Sequence, residues 1–128
     1  MKIVVVEDSA VIRKHLITLL ETVEGVEVAG EAESEQAALA LIPDTQPDLV
    51  VLDIRLSPGN GLNVLRELRA SGDATEILVV TNLMHEQYRK LSMRLGANGF
   101  YDKTYGIETM LNRIQSGCTG WSQKRQCN

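Results

Sequence analysis

The chain has 128 residues, a length that fits one domain with a sizeable core. A hydrophobic fraction of 44% and a charged fraction of 23% exclude a disordered chain, a collagen-like repeat and a disulfide mini-protein. A formal net charge of −4 argues against bulk binding to a phosphate backbone, and no apolar run approaches the ~20 residues of a membrane helix.

Ile3-Val4-Val5-Val6 is short, continuous and β-branched, and reads as a strand buried on both faces. It stops at Glu7-Asp8 and is too short for a signal-peptide core. Ser9 is a candidate N-cap for a helix whose apolar face is Val11, Ile12, Leu16, Leu19, Leu20 and Val23. Val26-Glu27-Val28-Ala29 alternates and reads as an edge strand with one wetter face. Ser34 then caps a helix carrying Ala37, Ala38, Leu41 and Ile42, which Pro43 closes. Leu49-Val50-Val51-Leu52 is a second buried strand, followed by an Asn60-capped helix with Leu62, Leu65 and Leu68. Ile77-Leu78-Val79-Val80 is the third buried strand, and Met84, Tyr88, Leu91 and Leu95 mark the helix after it. Gly99-Phe100-Tyr101-Asp102 is a half-polar edge strand, and Ile107, Met110, Leu111 and Ile114 form a last short helix. Periodicity fails after about Gln115, so 1–115 reads as the domain and 116–128 as a polar C-terminal tail or truncated linker. Cys118 and Cys127 both fall in that tail, where they cannot staple a fold, and they fit a reducing cytosol.

Strand followed by helix, five times over, predicts an α/β fold with a parallel sheet covered on both faces by right-handed crossovers. With the polar strands at the edges, the arrangement is a single doubly wound (βα)5 flavodoxin-like sheet of strand order 2-1-3-4-5. Ligands of such sheets sit beyond the carboxyl ends of the strands. There the chain places Glu7-Asp8, Asp53, Thr81 and Lys103. Carboxylates gathered at one rim cannot all stay ionised without a proton or a cation to compensate them. An all-oxygen cluster suits Mg²⁺. Asp53, firmly held after a buried strand, could act as a nucleophile toward phosphorus and form an acyl phosphate. Lys103 would supply a point charge and Thr81 a hydroxyl.

Glu7-Asp8, Leu52-Asp53, Thr81 and the run from Gly96 to Lys103, together with Gly61 eight positions after Asp53, resemble the receiver domain of two-component response regulators. The resemblance covers residues 1 to about 115. It implies phosphotransfer to Asp53 from a histidine kinase or phosphotransfer protein. It implies Mg²⁺ held by Asp8, by Asp53 and by the backbone carbonyl of Arg55, with Glu7 acting through water. It further implies that Thr81 and Phe100 form a switch that remodels the surface of helix 4, strand 5 and helix 5 for a downstream protein partner or an effector domain. Such a protein is a cytoplasmic phosphorylation-controlled regulator rather than an enzyme with an external substrate, although it assists its own phosphorylation and dephosphorylation. It contacts neither nucleic acid nor membrane directly, and phosphorylation-dependent homodimerisation is left open.

Some positions depart from the family pattern. Thr104 stands where a proline with a cis peptide is usual, and a cis bond before a non-proline costs ~3–4 kcal/mol, so this link is either trans or strained. Ser57 holds the place of a common proline, with Pro58 one step later, and Phe100 lacks the hydroxyl of the usual tyrosine. Three rival readings fare worse. A receiver-like module that is never phosphorylated should lack an acid, the threonine or the lysine, and none is missing. A phosphatase of the haloacid dehalogenase class needs an Asp two residues after the nucleophile, where this chain has Arg55. A flavodoxin needs a phosphate loop, and Glu7-Asp8-Ser9 would repel phosphate.

Overall fold

The computed structural model describes the backbone of residues 1–83 and 85–124, with side chains described as far as residue 117. Strands β1 (Lys2–Val6), β2 (Glu27–Ala32), β3 (Leu49–Leu52), β4 (Glu76–Thr81) and β5 (Gly99–Asp102) form one parallel sheet in the order β2-β1-β3-β4-β5. Helices α1 (Ala10–Leu20), α2 (Glu35–Thr45), α3 (Gly61–Ala70), α4 (Glu86–Arg94) and α5 (Ile107–Lys124) connect and follow them.

The two-residue period of the strands divides the core in two. Ile3 and Val5, Leu49 and Val51, and Leu78 and Val80 face one side, where Leu16 and Leu20 of α1 and Met110 and Ile114 of α5 cover them. Val4 and Val6, Val50 and Leu52, and Ile77 and Val79 face the other, under Ala38 and Ile42 of α2 and Val64, Leu65 and Leu68 of α3. Strands buried on both faces cannot alternate in polarity, which is why these three read as continuous apolar runs. Ser9, Ser34 and Asn60 act as the expected caps: their side chains accept from the amides of Ile12, Ala37 and Leu62.

Several boundaries differ from the sequence reading. β2 starts at Glu27 and runs through Gly30-Glu31 to Ala32, because Val26 is still tied to the carbonyl of Val23 in the preceding turn. Pro43 lies inside the last turn of α2, where it forfeits a single backbone bond, and the helix ends at Gln46 in a left-handed conformation. Val11 is 81% exposed, so the buried stripe of α1 is Ile12, Leu16 and Leu20. The last helix does not stop near Gln115 but continues to Lys124. Apolar periodicity reports the buried face, and a proline-free helix can propagate past its last core contact at one backbone bond per residue. Met84, expected on the α4 stripe, lies outside the described residues, as does Cys127. Ser57–Pro58 is the one cis peptide among the described residues, so Lys103–Thr104 is trans.

Leu65 is fully buried between α3 and the sheet. Leu65→Ala is expected to lower stability by about 2–5 kcal/mol in urea denaturation, whereas Val11→Ala stays within about 0.5 kcal/mol of the parent.

Candidate functional site

The site is built from residues that sit one step past the end of a strand. The Glu7 amide donates to the carbonyl of Ala32, the Asp53 amide to that of Val6, and the Lys103 amide to that of Thr81, each at 3.0 Å. Each of these bonds prolongs a strand ladder by one residue and fixes the side chain that follows it. The same alternation that sorts the core puts Glu7, Asp53 and Lys103 in phase with Val5, Val51 and Tyr101, on the α1–α5 side. β1 and β3 are neighbours at the sheet centre, so two acids far apart in sequence end up side by side.

The resulting geometry is tight. Carboxylate oxygens of Glu7, Asp8 and Asp53 lie within 4.8 Å of one another. Glu7 and Asp53 are 1% and 4% exposed, and Asp8 is more open. Lys103 bridges the two buried acids: its Nζ lies 2.7 Å from Asp53 Oδ2 and 2.8 Å from Glu7 Oε1. Ser9 donates its amide to Glu7 Oε2 at 3.0 Å, and the Arg55 amide donates to Asp53 Oδ1 at 3.3 Å. Glu7 Oε1 makes a charge contact with Lys103 yet lacks a well-directed hydrogen bond. Burial pushes the Glu7 carboxyl above its ordinary 4.5. Lys103 and the Ser9 amide oppose the rise, while Asp8 and the Asp53 charge add to it. Burial alone would lower the Lys103 ammonium, but its bonds and charge contacts with Asp53 and Glu7 outweigh that and hold it above 10.5. One ammonium thus faces two buried carboxylates and a third at the rim. A buried acid oxygen short of a directed donor, in an all-oxygen set, fits a hard divalent cation such as Mg²⁺.

The acids open into a cleft of about 340 Å³ whose walls also include Ile12, Arg55, Ser57 and Asn82. Gly61 is demanded by packing, because a Cβ there would collide with the Asp53 carbonyl oxygen, and its amide donates to the Ile54 carbonyl at 2.7 Å. The β3–α3 loop is thereby folded back under the acid. Thr81 is fully buried at the end of β4, in phase with Val79 on the opposite side of the sheet, and its Oγ1 accepts from the Leu83 amide at 3.1 Å. Phe100 is half-buried and packs on that same side, with Leu83, Tyr88, Leu91 and Leu95. Glu7, Asp8, Asp53, Arg55 and Lys103 therefore meet in one cleft, while Thr81 and Phe100 lie on the flank toward α4. The sequence reading did not single out Asn82, a cleft-wall residue, or Arg13, whose guanidinium donates to the Glu7 carbonyl at 2.7 Å. A polar residue after a strand and an arginine on a helix are too common to have marked either.

A profile of the response regulator receiver domain matches residues 3–115. The chain belongs to that family. Its relatives include the response regulator GacA of Pseudomonas aeruginosa, 29% identical over 119 residues that cover 93% of this chain and 56% of that protein. The DNA-binding transcriptional activator DevR/DosR of Mycobacterium tuberculosis is 33% identical over 102 residues, 80% of this chain and 47% of that one. The receiver thus spans about half the length of the curated relatives it matches. Among solved structures, a LuxR-family two-component response regulator from Aurantimonas superposes with a TM-score of 0.86 at 27% identity, covering 93% of this chain and 85% of that one. The signal receiver domain of NarL from Mycobacterium tuberculosis gives 0.84 at 26%, covering 93% and 96%.

The raised Glu7 carboxyl has a definite sign in this receiver. Below 4.5 the group is protonated whether folded or unfolded and contributes nothing. Above that, the unfolded chain releases its proton first, so the penalty on folding grows until the pH passes the folded-state value and holds at its full size beyond it. Without divalent cations, Glu7→Gln is expected to match the parent in urea midpoint near pH 4.5 and to exceed it increasingly toward neutrality. A variant less stable than the parent at neutral pH would contradict that assignment.

Proposed function

We propose that this receiver is a phosphorylation-controlled switch that accepts a phosphoryl group on Asp53 from a histidine kinase or a phosphotransfer protein. The observation that carries the reading is the convergence of Glu7, Asp8 and Asp53 on one point, with Lys103 in charge contact with both buried acids. In the transfer, an Asp53 carboxylate oxygen forms a bond to phosphorus as the P–N bond of a phosphohistidine breaks, and its electron pair returns to the imidazole. Lys103 holds its positive charge where the acceptor carboxylate meets the incoming anion. The Arg55 amide on Asp53 Oδ1 fixes the orientation of the acceptor. Glu7, Asp8 and Asp53, with the Arg55 carbonyl, would hold Mg²⁺, Glu7 through water; when bound, the ion offsets charge on the phosphoryl oxygens.

The phosphoryl group is one new charged group at the end of β3, whose neighbour β4 ends in the buried Thr81 hydroxyl, and that is enough to bias a two-state element. In the unmodified state the Thr81 hydroxyl is occupied by the Leu83 amide. On phosphorylation Thr81 turns to the phosphoryl oxygen, Phe100 moves inward, and the surface of α4, β5 and α5 changes. That surface serves a downstream protein partner or an effector domain, in some settings as a phosphorylation-dependent homodimer. On this reading 1–115 is the switch and 116–128 is a polar tail or linker outside it. The chain is then a regulatory phosphoacceptor of the cytoplasm that assists its own phosphorylation and dephosphorylation, with no direct nucleic-acid contact. Among the described residues no helix is long and apolar enough to cross a membrane.

Treatment with acetyl phosphate and Mg²⁺ is expected to add one phosphoryl group to the intact mass of the parent and none to Asp53→Asn. An adduct that persists in Asp53→Asn, or a parent that takes up none, refutes the assignment. Thr81→Ala is expected to keep the adduct while the amide shifts of α4 and β5 cease to respond to it, which NMR of the two proteins checks directly.

A further inference from the structure

Arg13 turns its charge inward from α1: its side chain is only 14% exposed. Nη1 donates to the backbone carbonyl of Glu7 at 2.7 Å, and Nε donates to Glu31 Oε1 on β2 at 2.6 Å. The Glu7 carbonyl lies beyond the last β1–β3 pair, Val6 with Leu52. The Glu7 amide is held by the Ala32 carbonyl on β2. Arg13 secures the other end of the same residue. The carbonyl it grips belongs to the peptide that joins Glu7 to Asp8, so its direction sets the direction from which the Asp8 carboxylate leaves the chain.

The charge arrangement sharpens the point. A bare guanidinium beside a cation site would repel the cation. Here Glu31 pairs with Arg13, so the clamp adds geometry at little net charge.

We propose that Arg13 is a positioning residue for the cation-binding acid pair Glu7–Asp8, with Glu31 neutralising its charge. This rests on the Mg²⁺ reading of the site given above. Outer partners that orient ligands typically govern metal affinity by ten- to a hundredfold. A fixed peptide direction matters most for Mg²⁺, which tolerates little departure from octahedral geometry.

The test is Mg²⁺ titration of the full chain followed by the amide shifts of residues 6–9, whose spectrum also reports whether each variant is folded. Arg13→Gln is expected to weaken Mg²⁺ binding about tenfold, a loss that added KCl does not relieve. Charge alone predicts the reverse, since removing a cation from beside the site would tighten binding. A purely structural role predicts no change in the folded variant. Glu31→Gln leaves the grip on Glu7 but exposes the Arg13 charge, so its loss of affinity should shrink as KCl screens it. Arg13→Lys retains the charge and one contact and should fall between parent and Arg13→Gln; it carries the test if Arg13→Gln does not fold. Parent-like or tighter binding in Arg13→Gln, or in Arg13→Lys where that variant stands in, overturns the proposal while the Mg²⁺ reading survives. A parent that shows no saturable response overturns both.

Discussion

The site depends on one ammonium set between two buried carboxylates. Lys103 meets Asp53 and Glu7 at 2.7 and 2.8 Å, with both acids nearly sealed from water. Two ionised acids this close would repel strongly, and burial alone would favour protonation of at least one. One lysine carries one positive charge for the two of them, and burial still holds the Glu7 carboxyl above its ordinary range. That imbalance is what the proposed Mg²⁺ would offset.

The sheet makes the arrangement possible. Parallel strands all end at the same rim, and the β2-β1-β3-β4-β5 order puts β1 and β3 adjacent at the centre. Glu7 and Asp53 come from those neighbours, each one residue past its strand and held by an extra ladder bond. Lys103 arrives from the far edge through the equivalent bond to Thr81 and spans the remaining gap with its flexible stem. Thr81 is out of phase with the acids and lies against the α4 flank with Phe100. The charged groups therefore occupy one side of the rim, and Thr81 and Phe100 the other.

Much of this was legible in the sequence, because its signals are local and strong. Three apolar runs ending in acids or a hydroxyl are enough to infer a parallel sheet and the rim where its strand ends meet. Ser9, Ser34 and Asn60 marked helix starts through a side chain that can accept a backbone bond two or three residues on. What sequence patterns missed is what they do not encode. Val11 fits the helical stripe by spacing but points away from the sheet, since the true stripe is narrower than the run of apolar residues. α5 outruns its apolar periodicity, and Pro43 is tolerated in a last turn where few bonds remain to be lost. Arg13 was invisible because its role is a long-range grip on a backbone carbonyl, and a carbonyl has no letter in the sequence.

The most direct test of the central claim is the urea midpoint of the parent and Lys103→Met, each measured across a Mg²⁺ titration. The crowding account predicts that Lys103→Met is the less stable protein without Mg²⁺ and gains more from saturating Mg²⁺ than the parent does, since only the ion can then offset the buried acids. Midpoints that ignore Mg²⁺ in both proteins, or a lysine variant as stable as the parent without it, would contradict the account.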